Sequence, residues 1–465
     1  MDIVIVKAKL VEQTWSNPLL LSLLVLFLNL FLNFIKRSKL KLPPSPPKLP
    51  IIGNLHQIGT LPHRSFRTLS TKYGPLMLLH IGHTPTLVVS SAELAEEMVR
   101  NHDIVFSNRP ITTPVKILLY GCKDLGFAPY SEYWRQARKI CVLHLLSLKR
   151  VQSFQFVREE EVLTLINKIR GRCLDASPIN MTEMLLGTSH NIISRCVIGL
   201  KGDEEGGSGA RFGEVTRRFM HQISEFNVGD MFPSLGWLDV LSGFIGRLKE
   251  TAKEMDEFLD KDMFVAGTES VATATEWTMA ELMRQPNIMK KAQDEVRKVV
   301  GKKPKIDAED IHRMDYLKCI IKETLRLHPP APLMSPRQTS TSVKLGDYHI
   351  PPKTTVFVNV WAIQRDPRLW EMPDVFYPER FENVEFDYKN PKSFQFIPFG
   401  IGRRTCPGVS SGLIAVEYVI ANLLYWFDWK LPPHISAQNL DITEAFGLGV
   451  CMKFPLCLLP MPYRP

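Results

Sequence analysis

Apolar residues recur three and four positions apart through most of this chain, the spacing that gives a helix one buried face. The pattern predicts helices over Ser91–Arg100, Tyr133–Leu145, Lys149–Ile169, Gly213–Phe226, Leu248–Leu259, Phe264–Met283, Ile288–Val300, Tyr316–Leu327 and Ser410–Trp426. Period-two alternation is confined to short runs at Leu76–Ile81, Thr86–Ser90, Val343–Leu345 and Thr355–Asn359. From about Pro62 onward there is no internal repeat and no second linker. The expectation is one mainly helical domain, residues 62–465, with small β-sheets.

Hydropathy sets residues 1–42 apart. Thr14–Ile35 carries no charge and from Leu19 is nearly all Leu, Val and Phe. As a helix it would be roughly 33 Å long, enough to cross a hydrocarbon core of about 30 Å. A cleaved signal peptide is the alternative, but the run is long and no small-residue cleavage site follows. Lys36, Arg37, Lys39 and Lys41 follow instead. By the positive-inside rule they leave the rest of the chain in the cytosol, behind a single-pass anchor in the lipid bilayer. Residues 43–61 begin with Pro43, Pro44, Pro46, Pro47 and Pro50, which resist helix and form a stiff hinge.

Charge narrows the function classes. The net charge is +9, and residues 1–42 supply +4 of it from six basic and two acidic side chains. The remaining +5 is too mild for a nucleic-acid binder and compatible with an acidic protein partner. At 465 residues, with 45% hydrophobic and 23% charged, the chain is neither disordered nor polytopic. The eight cysteines form no CxxC pair and no zinc spacing. The glycine-rich stretch from Glu204 to Gly209 lacks the Lys and the strand-loop-helix setting of a phosphate cradle, so it reads as a surface loop. The sequon at Asn180 faces the cytosol in this topology and should stay unmodified.

One cysteine stands in an unusual setting: Phe399-Gly400-Ile401-Gly402-Arg403-Arg404-Thr405-Cys406-Pro407-Gly408. Gly402 and Gly408 let the backbone approach a flat ligand, and Arg404 can pair with an anionic group. The helix expected from Ser410 would stabilise a thiolate at its N-terminus. This stretch matches Phe-x-x-Gly-x-Arg-x-Cys-x-Gly in full and resembles the haem-thiolate monooxygenases, the cytochrome P-450 family, in particular its plant, endoplasmic-reticulum-anchored A-type clan. The resemblance implies the fold of that family, haem iron with Cys406 as axial ligand, and Phe399 and Gly408 beside the sulfur.

Further motifs agree. Glu323-Thr324-Leu325-Arg326 is similar to the family's Glu-x-x-Arg, and Pro378-Glu379-Arg380-Phe381 to its partner, so Glu323, Arg326 and Arg380 are expected as a buried structural cluster. Trp134 and Arg138 share a helix face at i, i+4. The resemblance assigns both to the haem propionates, with Arg337 and Arg404. Arg135 and Lys139 lie on the adjacent face, where they either help dock an NADPH-cytochrome P-450 reductase or are simply solvated.

Ala266-Gly267-Thr268-Glu269-Ser270 resembles the family's oxygen-binding stretch, an acid followed by an alcohol. Glu269 and Ser270 would relay protons, and Gly267 would let the helix loosen beside the iron. Ser270 stands where the family usually has Thr; it keeps the hydroxyl but loses the methyl that fixes χ1. Just upstream, Leu248–Leu259 runs almost directly into the motif. The plant members have a few dozen residues more there, so a block near Asp260–Lys261 is expected to be missing. Either the motif helix then starts late, or the two helices fuse and shift.

By the same resemblance, substrate contacts fall at Thr112 to Leu119, at Ala266 onward, at Ala331 to Met334 including Leu333, and at Phe446 to Leu448. These residues are largely apolar, which favours a lipophilic small molecule such as a terpenoid or phenylpropanoid. The leading expectation is a monooxygenase using O2 and electrons from NADPH through the reductase. The alternatives are a haem-thiolate isomerase or dehydratase, and a truncated chain with impaired or no catalysis.

Overall fold

The computed structural model describes residues 41–465 except 174, 176, 198, 200–207, 259–261, 389–390 and 465; before residue 41 it describes Ser22 and Val25, and it gives no side-chain description for 208–213, 257–258 and 262–266. The expected membrane span, most of the glycine-rich stretch, and the Asp260–Lys261 junction therefore lie outside the described residues.

The predicted helices are present, with edges shifted by local chemistry. Ser91 caps Ala92–His102 by accepting from the Leu94 amide, and Ser131 caps Glu132–Ile140 through the Trp134 amide. The segment expected as one helix over Tyr133–Leu145 leaves α geometry at Ile140 and continues as a π turn, Cys141–Leu145, closed by the Leu146 amide on Cys141 O at 2.8 Å. Lys149–Ile169 is two helices, Leu148–Ser153 and Gln155–Cys173, with Phe154 between them. The pattern missed two of the longer helices and several short ones. Pro62–Tyr73 packs a narrow stripe of Phe66, Leu69 and Tyr73 in an otherwise mostly polar segment, and Met181–Val197 buries Thr182, Thr188, Ser189 and Ser194 among its apolar residues.

Asp262–Arg284, Asp315–Leu327 and Val409–Trp426 form the middle of the core. Val409–Trp426 is long and apolar enough to cross a membrane, yet Tyr418–Tyr425 is buried throughout, so it is the core helix. Trp277 ties three parts together. Its ring stacks on His328 at 4.1 Å and 4°, and its Nε1 donates to Val450 O at 3.2 Å. The C-terminal hairpin is thereby fixed to the central helix.

The sheets are small. One runs in the order Leu76–Ile81, Thr84–Val89, Thr355–Val358, Arg337–Gln338. Its first two strands pair antiparallel, with Leu76 opposite Val89, and Thr84–Val89 pairs parallel with Thr355–Val358. The last strand starts at Arg337, which the sheet thus delivers to the cysteine loop. A three-stranded sheet orders Ile179–Asn180, Cys457–Pro462 and Phe427–Lys430, and the pairs Val343–Leu345/Tyr348–Ile350 and Glu444–Ala445/Cys451–Met452 are hairpins.

Candidate functional site

The cysteine loop is built by two glycines with positive φ, Gly400 at 81° and Gly402 at 65°. A Cβ on Gly402 would lie 2.5 Å from Asp103 Oδ1, so a side chain there would have to displace that carboxylate besides adopting a strained φ. The Cys406 amide closes the loop on Phe399 O at 2.8 Å, and the Val409–Trp426 helix starts directly after Gly408. Burial pushes the Cys406 thiol up, while the Gly408 N–H and the charge of Arg138 oppose that and favour a thiolate. The Phe399 ring meets Tyr388 edge-on at 5.1 Å.

Guanidinium groups crowd around this loop. Arg138 donates to Thr405 O and Arg337 to Ile401 O. Arg404 donates to Ser107 O at 2.8 Å and Ala128 O at 2.6 Å, and its Nη1 is buried without a partner. Arg109, which sequence reasoning missed because no motif surrounds it, donates to Gly126 O and Pro336 O at 2.8 Å. Burial and repulsion from Arg337 and Arg138 push Arg404 down to about 9; burial pushes Arg337 to about 10, against the pull of Asp103. Buried positive charge with an orphaned donor calls for an anionic group. The haem implied by the cysteine loop carries two carboxylates, so these residues fit it. The Trp134 N–H, expected to face a propionate, donates instead to Leu125 O at 2.9 Å, and its ring packs 4.1 Å from the Arg404 guanidinium. Arg135 and Lys139 are exposed, and Arg135 pairs with Glu132.

On the central helix every residue from Thr268 to Met283 is buried except Ser270. Glu269, next to it, is buried. It lines a cleft of about 10 Å³, room for one water, with Arg217, Thr273, Glu276 and Cys451, and its Oε2 has no hydrogen-bond partner. Burial raises Glu269 to about 8, with Arg217 opposing and Glu276 reinforcing. Glu276 is raised to about 7 by burial and accepts from the Thr182 hydroxyl, which is the buried third residue of the sequon. The loosening expected at Gly267 does not occur, because the helix is regular from Asp262 to Arg284. A Cβ at Gly267 would come 3.0 Å from Ile193 Cδ1, so this glycine permits close packing against Met181–Val197. The described helices on either side of the junction are Phe244–Phe258 and Asp262–Arg284, and the second begins four residues before Ala266.

Glu323, Arg326 and Arg380 meet as a buried cluster. Glu323 accepts from Arg326 Nε at 2.7 Å and Nη2 at 2.8 Å, and from Arg380 Nε at 3.1 Å. Arg326 also donates to Gln364 O at 2.8 Å, and Gln364 Oε1 accepts from the Ile397 amide at 2.9 Å, two residues before Phe399. The cluster therefore reaches the cysteine loop through Gln364.

A cavity of about 150 Å³ lies between the four-stranded sheet and the helices. Thr112, Leu333, Phe446 and Leu448 line it, as expected of substrate contacts. Leu119 does not; it packs with Val115, Phe219 and Leu248. Ala331 does not either, and its carbonyl closes the turn that carries Met334. The Ala266 side chain lies outside the description. Sequence reasoning missed Phe66 and Phe357 on this wall, and also Glu225 and Asp230, which no motif marks. Met334 lies at the cysteine-loop end, its sulfur 3.9 Å from where a Gly400 Cβ would stand.

The family model described as Cytochrome P450 matches residues 43–263 and 261–453. A phenylacetaldehyde oxime monooxygenase of Prunus mume is 48% identical over 92% of this chain and 91% of its own length. Desmethylyatein synthase of Sinopodophyllum hexandrum is 44% identical, covering 93% of this chain and 98% of its own. A zebra fish cytochrome P450 structure with abiraterone superposes with a TM-score of 0.73 at 25% identity, covering 86% of this chain and 100% of the other.

Proposed function

Because the chain belongs to the cytochrome P450 family, in its plant A-type clan, we propose that it inserts one oxygen atom of O2 into a lipophilic small molecule, with electrons from NADPH through a cytochrome P-450 reductase. Residues 1–42 would anchor it in the endoplasmic-reticulum membrane, with the catalytic domain in the cytosol. The observation that carries the reading is the Cys406 loop ringed by Arg109, Arg138, Arg337 and Arg404, with the orphaned Nη1 of Arg404 in place for an anion. Haem bound there through the Cys406 thiolate would supply oxygen activation. The arginines would bind and orient its carboxylates, and the Gly408 N–H would temper the sulfur. Glu269, raised to about 8 by burial, would supply protons, and the neighbouring Ser270 hydroxyl would pass them on. Glu323, Arg326 and Arg380 would keep the loop rigid. The largely apolar cavity and relatives named for a phenylacetaldehyde oxime and for desmethylyatein support an aromatic or terpenoid lipophile.

A second reading is a shortened chain with impaired turnover, and specific observations favour weighing it. The family match breaks into two segments that abut at 261–263. The alignment to the Prunus mume oxime monooxygenase spans 480 positions, yet 92% of 465 residues is about 428, so about 52 positions face no residue of this chain. A missing block near Asp260–Lys261 would account for both. The test is to express this chain beside one with the block restored and record reduced-plus-CO difference spectra. A thiolate-haem band in the short chain supports the monooxygenase. Its absence there, with recovery in the long chain, supports the shortened-chain reading. No band from either overturns the assignment of Cys406.

A further inference from the structure

The cavity is unevenly charged. Glu225 and Asp230 are the charged residues on its wall, and no Lys, Arg or His lines it among the described residues. Both acids sit at one end. Asp230 belongs to the short Val228–Met231 helix and accepts from the Thr113 amide and hydroxyl, each at 2.8 Å. That end abuts the tip of the Leu76–Ile81/Thr84–Val89 hairpin, where the His83 amide donates to Met231 O. The one cationisable side chain within 4 Å of either carboxylate, among the described residues, is exposed His221, 3.9 Å from Glu225. Met334, also on the wall, reaches the cysteine loop.

Two carboxylates on a wall that carries no cation repel an incoming anion. They attract an ammonium group and accept from a hydroxyl. We propose that Glu225 and Asp230 make this cavity select lipophiles with a hydroxyl or amine head and reject carboxylates, the head lying at Val228–Met231 and the apolar end toward the cysteine loop. The inference rests on the lipophile-binding reading above and names the substrate class for that same site.

The test uses one skeleton with three heads: 4-phenylbutanol, 4-phenylbutylamine and 4-phenylbutanoate, each measured by equilibrium dialysis against the full-length chain in bilayer discs at pH 7.5. The alcohol and the amine are expected to bind at least about tenfold more tightly than the carboxylate, the scale of a like-charge penalty at close quarters. E225Q, which leaves the Asp230–Thr113 clip intact, should narrow the gap, and E225Q with D230N should nearly close it. Equal binding of alcohol and carboxylate, or a gap unchanged in both variants, overturns the selectivity. Binding of none of the three is a different result: it removes the lipophile site itself, and the selectivity with it.

Discussion

The Arg404 guanidinium lies 4.1 Å from the centre of the Trp134 ring, while its Nη1 is buried with nothing to donate to. The ring face stabilises the charge but accepts none of its N–H groups in line. The arrangement is half of a binding site. Arg404→Leu is therefore expected to lower haem retention about tenfold, the loss of one charge-assisted hydrogen bond. Arg404→Lys should recover part of it, because the charge returns without the planar fork. The haem-to-protein ratio after gel filtration checks both.

Glu323 has no exposure, and its two oxygens hold three guanidinium nitrogens. Glu323→Gln strands two buried cations. The expected cost is about 3–5 kcal/mol, read as a shifted midpoint in urea unfolding. Lys291→Gln, which touches Glu379 and Glu382 at the surface, should cost under about 1 kcal/mol in the same assay.

Glu269 gives a pH signature. Its folded pKa of about 8 lies above the ordinary 4.5, so the group stays protonated through neutrality. Its contribution to stability is full below 4.5 and is lost as pH rises through about 8. Infrared difference spectra should show a protonated carboxyl band at pH 7 that bleaches around pH 8 and is missing in Glu269→Gln. A band already gone at pH 6 would refute the assignment.

Ser270 is exposed beside the buried Glu269 and lacks the methyl that would fix its hydroxyl. Ser270→Thr is expected to raise product formed per NADPH consumed by about twofold, the scale of one restrained rotamer. Ser270→Ala should slow product formation about a hundredfold while NADPH oxidation continues. Simultaneous assay of both quantities separates coupling from binding.

Glu444 works in the opposite direction to Glu269. Burial alone would raise it, but His63 Nε2 at 3.0 Å and Arg64 Nε at 2.8 Å outweigh that and bring it down to about 2. Its stability contribution is present above 4.5 and lost as pH falls toward 2. Glu444→Gln is expected to cost about 1–3 kcal/mol at pH 7, with the difference from wild type shrinking in acid. Thermal unfolding at pH 7 and pH 3 measures it.

The parts of this molecule that show in its sequence are those where chemistry forces a pattern. Gly402 combines a positive φ with a place that the Asp103 carboxylate occupies, and Cys406 and Glu323 keep fixed spacings because each meets a neighbour a few residues away, Phe399 and Arg326. Long helices such as Asp315–Leu327 show because one face is buried from end to end. Residues that act across long separations left no trace. Arg109 joins the arginine ring by meeting carbonyls at 126, 335 and 336, and Asp230 reaches Thr113 across the cavity. The helix Met181–Val197 was hidden because it buries hydroxyls, and the partner of the Trp134 N–H, Leu125 O, is a carbonyl that no motif marks.

The helices on either side of residues 259–261 answer to different neighbours. Phe244–Phe258 packs on Thr113–Leu118 and Ser208–Ser224, whereas Asp262–Arg284 packs chiefly on Met181–Val197 and the core. Ser208–Ser224 touches both, but it leans mainly on the first, and changing the length of a connection costs little free energy. If a segment is absent at this point, folding and turnover become separate questions: the core of a shortened chain would still have its own neighbours, while the chemistry would depend on that segment.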